Sequence, residues 1–253
     1  MSTLLKKIRF TALAAASCMT VFGVQMHSAH AAGFTSEQKQ EVEALFKQFI
    51  TDNPELILQS VKQYQEDQER KVMQSAQENL KEYQSYFAKK DLPMTGNPDG
   101  DVTIVEFFDF NCGYCKKAFE DVQTIIKDDK NVRIIFQDMP ILSPSSAKMT
   151  NLALAAHKQG KYFEMHKALM DYRGSQNDAA FFKLAEELGL DMDQLKLDAL
   201  GADVQASVTK SKDMAQALGI RGTPGFIIGN KVYPGYIGIE AMKKAVQEAR
   251  ESK

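Results

Sequence analysis

The sequence predicts an α/β fold: a small sheet domain interrupted by a long helical insertion and preceded by a helical N-terminal segment. Three observations carry this. Residues 101–136 read strand, helix, strand, with the run Cys-Gly-Tyr-Cys (112–115) where the first strand gives way to the helix. Residues 143–218 show only helical spacing before strand-like residues return at 225–234. Residues 35–88 keep the three- and four-residue spacing of helices with a thin apolar stripe.

The N-terminus has the three parts of an export signal. Lys6, Lys7 and Arg9 are followed by the apolar run Phe10 to Val24, and Ala29-His30-Ala31 offers small residues to a signal peptidase. Fifteen apolar residues are short for a membrane span of about 20. Ala15-Ala-Ser-Cys18 is a poor lipoprotein site, because apolar sequence continues beyond the cysteine. Removing residues 1–31 takes away three of the 31 basic residues and none of the 33 acidic ones, for a net charge of −5. There is no basic excess to suggest a nucleic-acid surface, and no Trp to suggest a carbohydrate platform.

Thr35 or Ser36 opens the first helix, with Gln38 completing a capping box after Thr35. Val42, Leu45, Phe46, Phe49 and Ile50 then form one apolar face. Asn53-Pro54 ends this helix and starts a second, which runs to about Ala88 with apolar positions Ile57, Val61, Tyr64, Val72, Ala76, Leu80, Tyr83 and Phe87. The stripe is strongest at 34–64, which points to association with copies of the same chain, while the polar run Gln65 to Lys71 acts as a helical spacer.

Pro93 to Gly100 is rich in turn residues and marks a boundary. Asp101 to Phe110 is a strand apolar on both faces, and a helix to about Lys127 leads to a second strand, Val132 to Phe136. Strand, helix, strand in this order implies parallel pairing with a right-handed crossover. After the helical insertion the sheet resumes at Gly225 to Gly229, turns at Gly229-Asn230 into Lys231 to Pro234, and a last helix begins at Ile239.

Loss of the leader removes Cys18 and leaves Cys112 and Cys115 alone, three apart. Two cysteines make no disulfide scaffold, so they are there to react or to bind. Cys112 falls at a helix start, where unpaired N–H groups and the helix dipole favour a thiolate. Cys115 lies one turn further in, which gives an attacking and a resolving thiol. A zinc site needs four ligands, and His157 and His166 do not supply a common pattern. Haem attachment needs His where Lys116 stands. A structural disulfide closing four residues would stabilise little. Redox chemistry is therefore the reading, with Cu(I) binding by the two thiolates as a possible second activity. No metal or cofactor site is otherwise expected. Glu106, between Val105 and Phe107 in a buried strand, is expected to be desolvated, with a raised pKa, and able to relay a proton to or from Cys115. His157 and His166 sit on amphipathic helices and read as surface or core residues.

The strand–Cys-x-x-Cys–helix unit, with Thr223-Pro224 opening a late strand, resembles the thioredoxin fold. With its helical insertion the chain, over about residues 95–250, is similar to the DsbA family of periplasmic oxidoreductases. It looks closest to oligomeric members such as ScsC, which carry N-terminal helices, while its tetrad is that of the isomerase DsbC. The resemblance implies a cis-proline loop at Thr223-Pro224 that offers backbone groups to an extended substrate, with Gly113 and Tyr114 beside it. It also implies that Glu106 is the family's buried acid. Tyr114 stands where strongly oxidising relatives have His, so a less oxidising protein than DsbA is expected. Gln137 stands where relatives often have Lys, so no charge partner for Glu106 is expected there. Gly225 replaces a bulkier residue and predicts a looser loop.

These expectations divide the chain into a signal peptide (1–31), an N-terminal helical oligomerisation segment (32–90) and a thioredoxin-like domain (91–253) with its insertion at about 143–218. The function expected is that of a periplasmic disulfide isomerase or mixed oxidase–isomerase acting on exported proteins. A membrane redox partner would keep it poised, and dimers or trimers would form. The alternatives are a monomeric dithiol oxidase recharged by a membrane partner, or a copper-binding or chaperone-like protein.

Overall fold

A computed structural model describes residues 34–252, so the expected leader and Cys18 lie outside the described residues. The chain divides into two compact units, Met1–Leu58 and Gln59–Lys253. In the first unit, α1 (Ser36–Asp52) starts on a capping box: Gln38 N–H donates to Thr35 Oγ1 at 3.2 Å, and Thr35 N–H donates to Gln38 Oε1 at 3.0 Å. Asn53 closes the helix by donating to Phe49 O, and Pro54 opens α2 (Pro54–Phe87). No residue of α1 is buried; Leu45 and Phe46 are both 65% exposed.

The second unit holds a five-stranded sheet in the order β1-β3-β2-β4-β5, made of β1 (Met94–Gly96), β2 (Val102–Phe108), β3 (Val132–Asp138), β4 (Gly225–Ile228) and β5 (Lys231–Tyr233). β2 and β3 pair in parallel, joined by α3 (Gly113–Asp128), and the remaining pairs are antiparallel. Between β3 and β4 lie α4 (Pro144–Lys158), α5 (Tyr162–Asp171), α6 (Asp178–Glu187), α7 (Met192–Ala199) and α8 (Ala202–Ala217); α9 (Ile239–Glu251) ends the fold. This is the thioredoxin-type α/β arrangement with a helical insertion.

The pleat sorts the side chains into two cores. Ile104, Phe108, Ile134 and Phe136 belong to one, together with α3, α9 and most of the insertion. Val105, Phe107, Ile135 and Ile227 belong to the other, with Met214 and Ala215 of α8, Leu218 just after it, and Ala76, Leu80 and Phe87 of α2. The C-terminal half of α2 is thus part of the fold, since a buried Leu or Phe cut to Ala costs about 2–5 kcal/mol.

Two stretches differ from the sequence reading. The turn-rich stretch 93–100 contains an edge strand: Met94 pairs with Ile135 and Gly96 with Arg133. Gly96 ends it at φ +79°, where a Cβ would lie 2.5 Å from Val132 O. β3 also runs two residues beyond Phe136, because the parallel ladder continues from Phe107 and Phe108 of β2 to Gln137 and Asp138. Buried Asp138 is accommodated by the Tyr162 hydroxyl, which donates to its Oδ2 at 2.7 Å.

Candidate active site

β2 ends in the turn Asp109-Phe110-Asn111-Cys112, where Cys112 N–H donates to Asp109 O at 3.0 Å. Cys112 becomes the N-cap of α3 with extended backbone (φ −79°, ψ 119°), which sets its sulfur at the helix start. Cys115, one turn on, is fully buried, and the two thiols are unbridged.

Their surroundings separate the two sulfurs chemically. Cys115 S–H donates to Cys112 and is the main reason the Cys112 thiol is pulled down to about 5. Burial opposes this, while the Thr223 hydroxyl and the N–H groups of Cys115 and Tyr114 assist it. When protonated, Cys112 Sγ donates to Thr223 O at 3.2 Å. The Thr223 hydroxyl has no other hydrogen-bond partner among the described residues, so it is free to turn to the sulfur as that ionises. Burial first, and then its own donation to Cys112, push the Cys115 thiol far above the ordinary range. One sulfur is ready to attack at neutral pH; the other holds its proton.

Glu106 lies in β2 opposite Phe136 of β3 and Phe226 of β4, with no exposed surface. Neither of its carboxyl oxygens has a hydrogen-bond partner among the described residues. Burial, then the charge of Cys112, raises its pKa to about 8, so it carries a proton at neutral pH. It also contributes to raising Cys115. Position 137 could not have supplied its partner, because Gln137 alternates onto the other sheet face, where it hydrogen-bonds with Tyr86.

The Thr223–Pro224 peptide is cis, and Thr223 is in contact with Cys112. The expectation of a loose loop at Gly225 is corrected: a Cβ there would lie 2.4 Å from Ile220 Cγ2, so glycine permits close packing. Gly113 opens α3 with free space where a Cβ would point, and Tyr114 is 65% exposed with its ring 5.8 Å from that of Tyr236. Tyr236 was not singled out from the sequence. Its hydroxyl donates to Asp121 Oδ2 at 2.6 Å, a partner 115 residues away that no local pattern reveals. His166 is a core residue packed among Phe108, Phe119 and Phe136, and burial pulls its pKa to about 3. His157 is a surface residue whose Nε2 lies 2.8 Å from Asp91 O. Among the described residues no group of three or more His, Cys, Asp or Glu could hold a metal ion.

Residues 103–247 match the family model of the DSBA-like thioredoxin domain. A thioredoxin-like oxidoreductase from Silicibacter pomeroyi is 41% identical, with 66% of this chain and 96% of that one aligned at a TM-score of 0.63. ScsC from Proteus mirabilis, in a transitional conformation, shares the fold at 24% identity over 87% of this chain and 99% of its own, TM-score 0.62. The Na(+)/H(+) antiporter NhaA 1 of Salinispora arenicola is 30% identical over 156 residues, 61% of this chain. The chain spans about a quarter of the length of the first curated relatives it matches. The cysteine pair at a strand-to-helix junction and the family match together make this chain a member of the DsbA-like thioredoxin-domain family of thiol–disulfide oxidoreductases.

Proposed function

We propose that the chain is an exported protein disulfide isomerase, or a mixed oxidase–isomerase. The observation that carries the dithiol chemistry is the opposed tuning of the two thiols, and the exposed apolar face at 34–64 supports its use as a multi-site isomerase. Cys112 attacks a client disulfide to form a mixed disulfide and expel one client thiolate. Then either Cys115 loses its proton and attacks Cys112, releasing the second client thiol and leaving a Cys112–Cys115 disulfide, or a client thiolate displaces Cys112 to give a reshuffled disulfide. Buried Glu106 is the relay: in its ionised form it takes up the Cys115 proton as that thiol attacks, and in its protonated form it returns one. Thr223 and cis-Pro224, with Gly113 and Tyr114, form the ledge on which an extended client segment lies.

Residues 1–31 act as a cleaved leader, and a membrane protein resets the redox state of the pair. No described helix is long and apolar enough to cross a membrane. Within the segment 32–90, the apolar residues of 34–64 are the oligomerisation surface; Leu45, Phe46, Phe49, Leu56 and Leu58 are each more than half exposed. A dimer or trimer then presents several active sites to one client, which raises the effective concentration of the attacking thiol. The 91–253 part, with the C-terminal half of α2 in its core, is the catalytic domain.

Reactivation of scrambled ribonuclease, read beside solution mass, tests this. Wild type is expected to assemble and to reactivate the substrate. Phe46→Asp/Phe49→Asp is expected to be monomeric and to reactivate poorly while still reducing simple disulfides. Equal mass and equal reactivation would refute the oligomeric isomerase.

A further inference from the structure

Asp109 is fully buried in the turn before Cys112, yet its carboxylate is filled with donors. Oδ1 accepts from Asn111 N–H at 2.8 Å and from the Ser146 hydroxyl at 2.7 Å. Oδ2 accepts from the N–H groups of Ile141 and Leu142 at 2.8 and 3.0 Å, in the loop leading to α4. Four contacts thus occupy the four lone-pair directions that a carboxylate offers. The contact to Asn111 is an Asx turn, the local bond by which Asp shapes the backbone two residues on. Asn111 is anchored in turn, its Nδ2 donating to Ser143, Ser145 and Ser146 at the start of α4.

We propose that Asp109 is a positioning residue for the redox pair: it clamps the turn that places Cys112 at the start of α3 and ties that turn to the helical insertion. Three consequences follow from the geometry. The Asp109 carbonyl receives Cys112 N–H, so any shift of the turn moves Cys112 directly. The N–H groups of Tyr114 and Cys115 reach the Cys112 sulfur only while it stays at the N-cap. The Asp109 backbone also hydrogen-bonds the Cys115 sulfur, so one residue holds the Cys112 backbone and touches the second thiol. The insertion is therefore part of the device that sets thiol reactivity, beyond its share of the core. This rests on Cys112 being the attacking thiol.

Asp109→Asn separates the turn from the rest of the clamp. Its amide keeps one acceptor, best spent on the two backbone donors Ile141 and Leu142, and turns its NH2 toward Asn111 N–H and Ser146. Ser146 can rotate to accept, but the bond to Asn111 is lost. The readout is thiolate absorbance near 240 nm against pH in the reduced protein. The Cys112 midpoint is expected to rise by about one pH unit, because the shifted turn takes one N–H off the Cys112 sulfur, a loss of about one hydrogen bond to a charged atom. Val232→Ala, a buried residue of edge strand β5 in the core that holds neither cysteine, is the control for general loosening and is expected to leave the midpoint unchanged. Should Asp109→Asn not fold, Asp109→Ser decides, because its hydroxyl reaches Asn111 but not the loop amides; a smaller rise is expected. An unmoved midpoint in the deciding variant, or an equal rise in Val232→Ala, overturns the proposal. If wild-type Cys112 itself titrates in the ordinary thiol range, the reading of Cys112 as an acidified attacking thiol falls and takes this proposal with it.

Discussion

Replacing Glu106 by Gln keeps the shape of the side chain and removes its titration. The carboxyl is fully buried and its pKa stands at about 8, against an ordinary 4.5. Below pH 4.5 it is protonated in folded and unfolded chains alike and adds nothing to the pH dependence. Between 4.5 and about 8 the unfolded chain releases the proton and the folded chain keeps it. Each pH unit there lowers stability by about 1.4 kcal/mol. The whole interval amounts to about 5 kcal/mol, complete above pH 8. Gln is spared this loss, and the cost of its buried amide does not vary with pH. Urea unfolding of the reduced proteins at pH 4.5, 6.5 and 8.5 reads the difference. The unfolding free energy of Glu106→Gln relative to wild type is expected to climb steadily, by about 3–5 kcal/mol over that range. A constant difference would mean that Glu106 ionises as an ordinary carboxylate, and the proton-relay role would fall with it.

Two further outcomes follow from the site. The rate of alkylation at Cys112 is expected to rise through about pH 5 and then level off, since its thiol is already ionised above that point; a rate still climbing at pH 8 contradicts the acidified thiol. Tyr114→His is expected to make the pair about 20–30 mV more oxidising in glutathione equilibrium, toward the −120 mV of DsbA, with an imidazolium beside the thiolate. An unchanged or lower potential would show that the ring at 114 does not sense Cys112.

Much of the fold could be read from local pattern. The β-branched and aromatic run before Cys112 is β2, and the capping box at Thr35 opens α1. The position of Cys112 at a helix start also follows from local sequence. What escaped depends on partners far along the chain. β1 carries turn residues and exists through its pairing with Ile134 and Ile135. The Gln137 side chain is aimed away from Glu106 by a pleat register that sequence alone leaves open. Asp109 looked like one polar interruption in an apolar run. Its role appears only when the loop at 141–142 and Ser146 are brought to it, although an Asp two residues before Asn and three before the helix N-cap is a turn signal that could have flagged it.

The central claim is that Cys112 attacks and Cys115 resolves. Cys115→Ser keeps a hydroxyl donor for the Cys112 sulfur but removes the resolving thiol. Reduced Cys115→Ser mixed with a disulfide-bonded peptide at pH 7, followed by intact-mass and fragment analysis, is expected to accumulate one mixed disulfide per chain at Cys112, with one peptide thiol released. Cys112→Ser is expected to yield none, because Cys115 is buried and keeps its proton. An adduct on Cys115, or none on Cys112, would contradict the account.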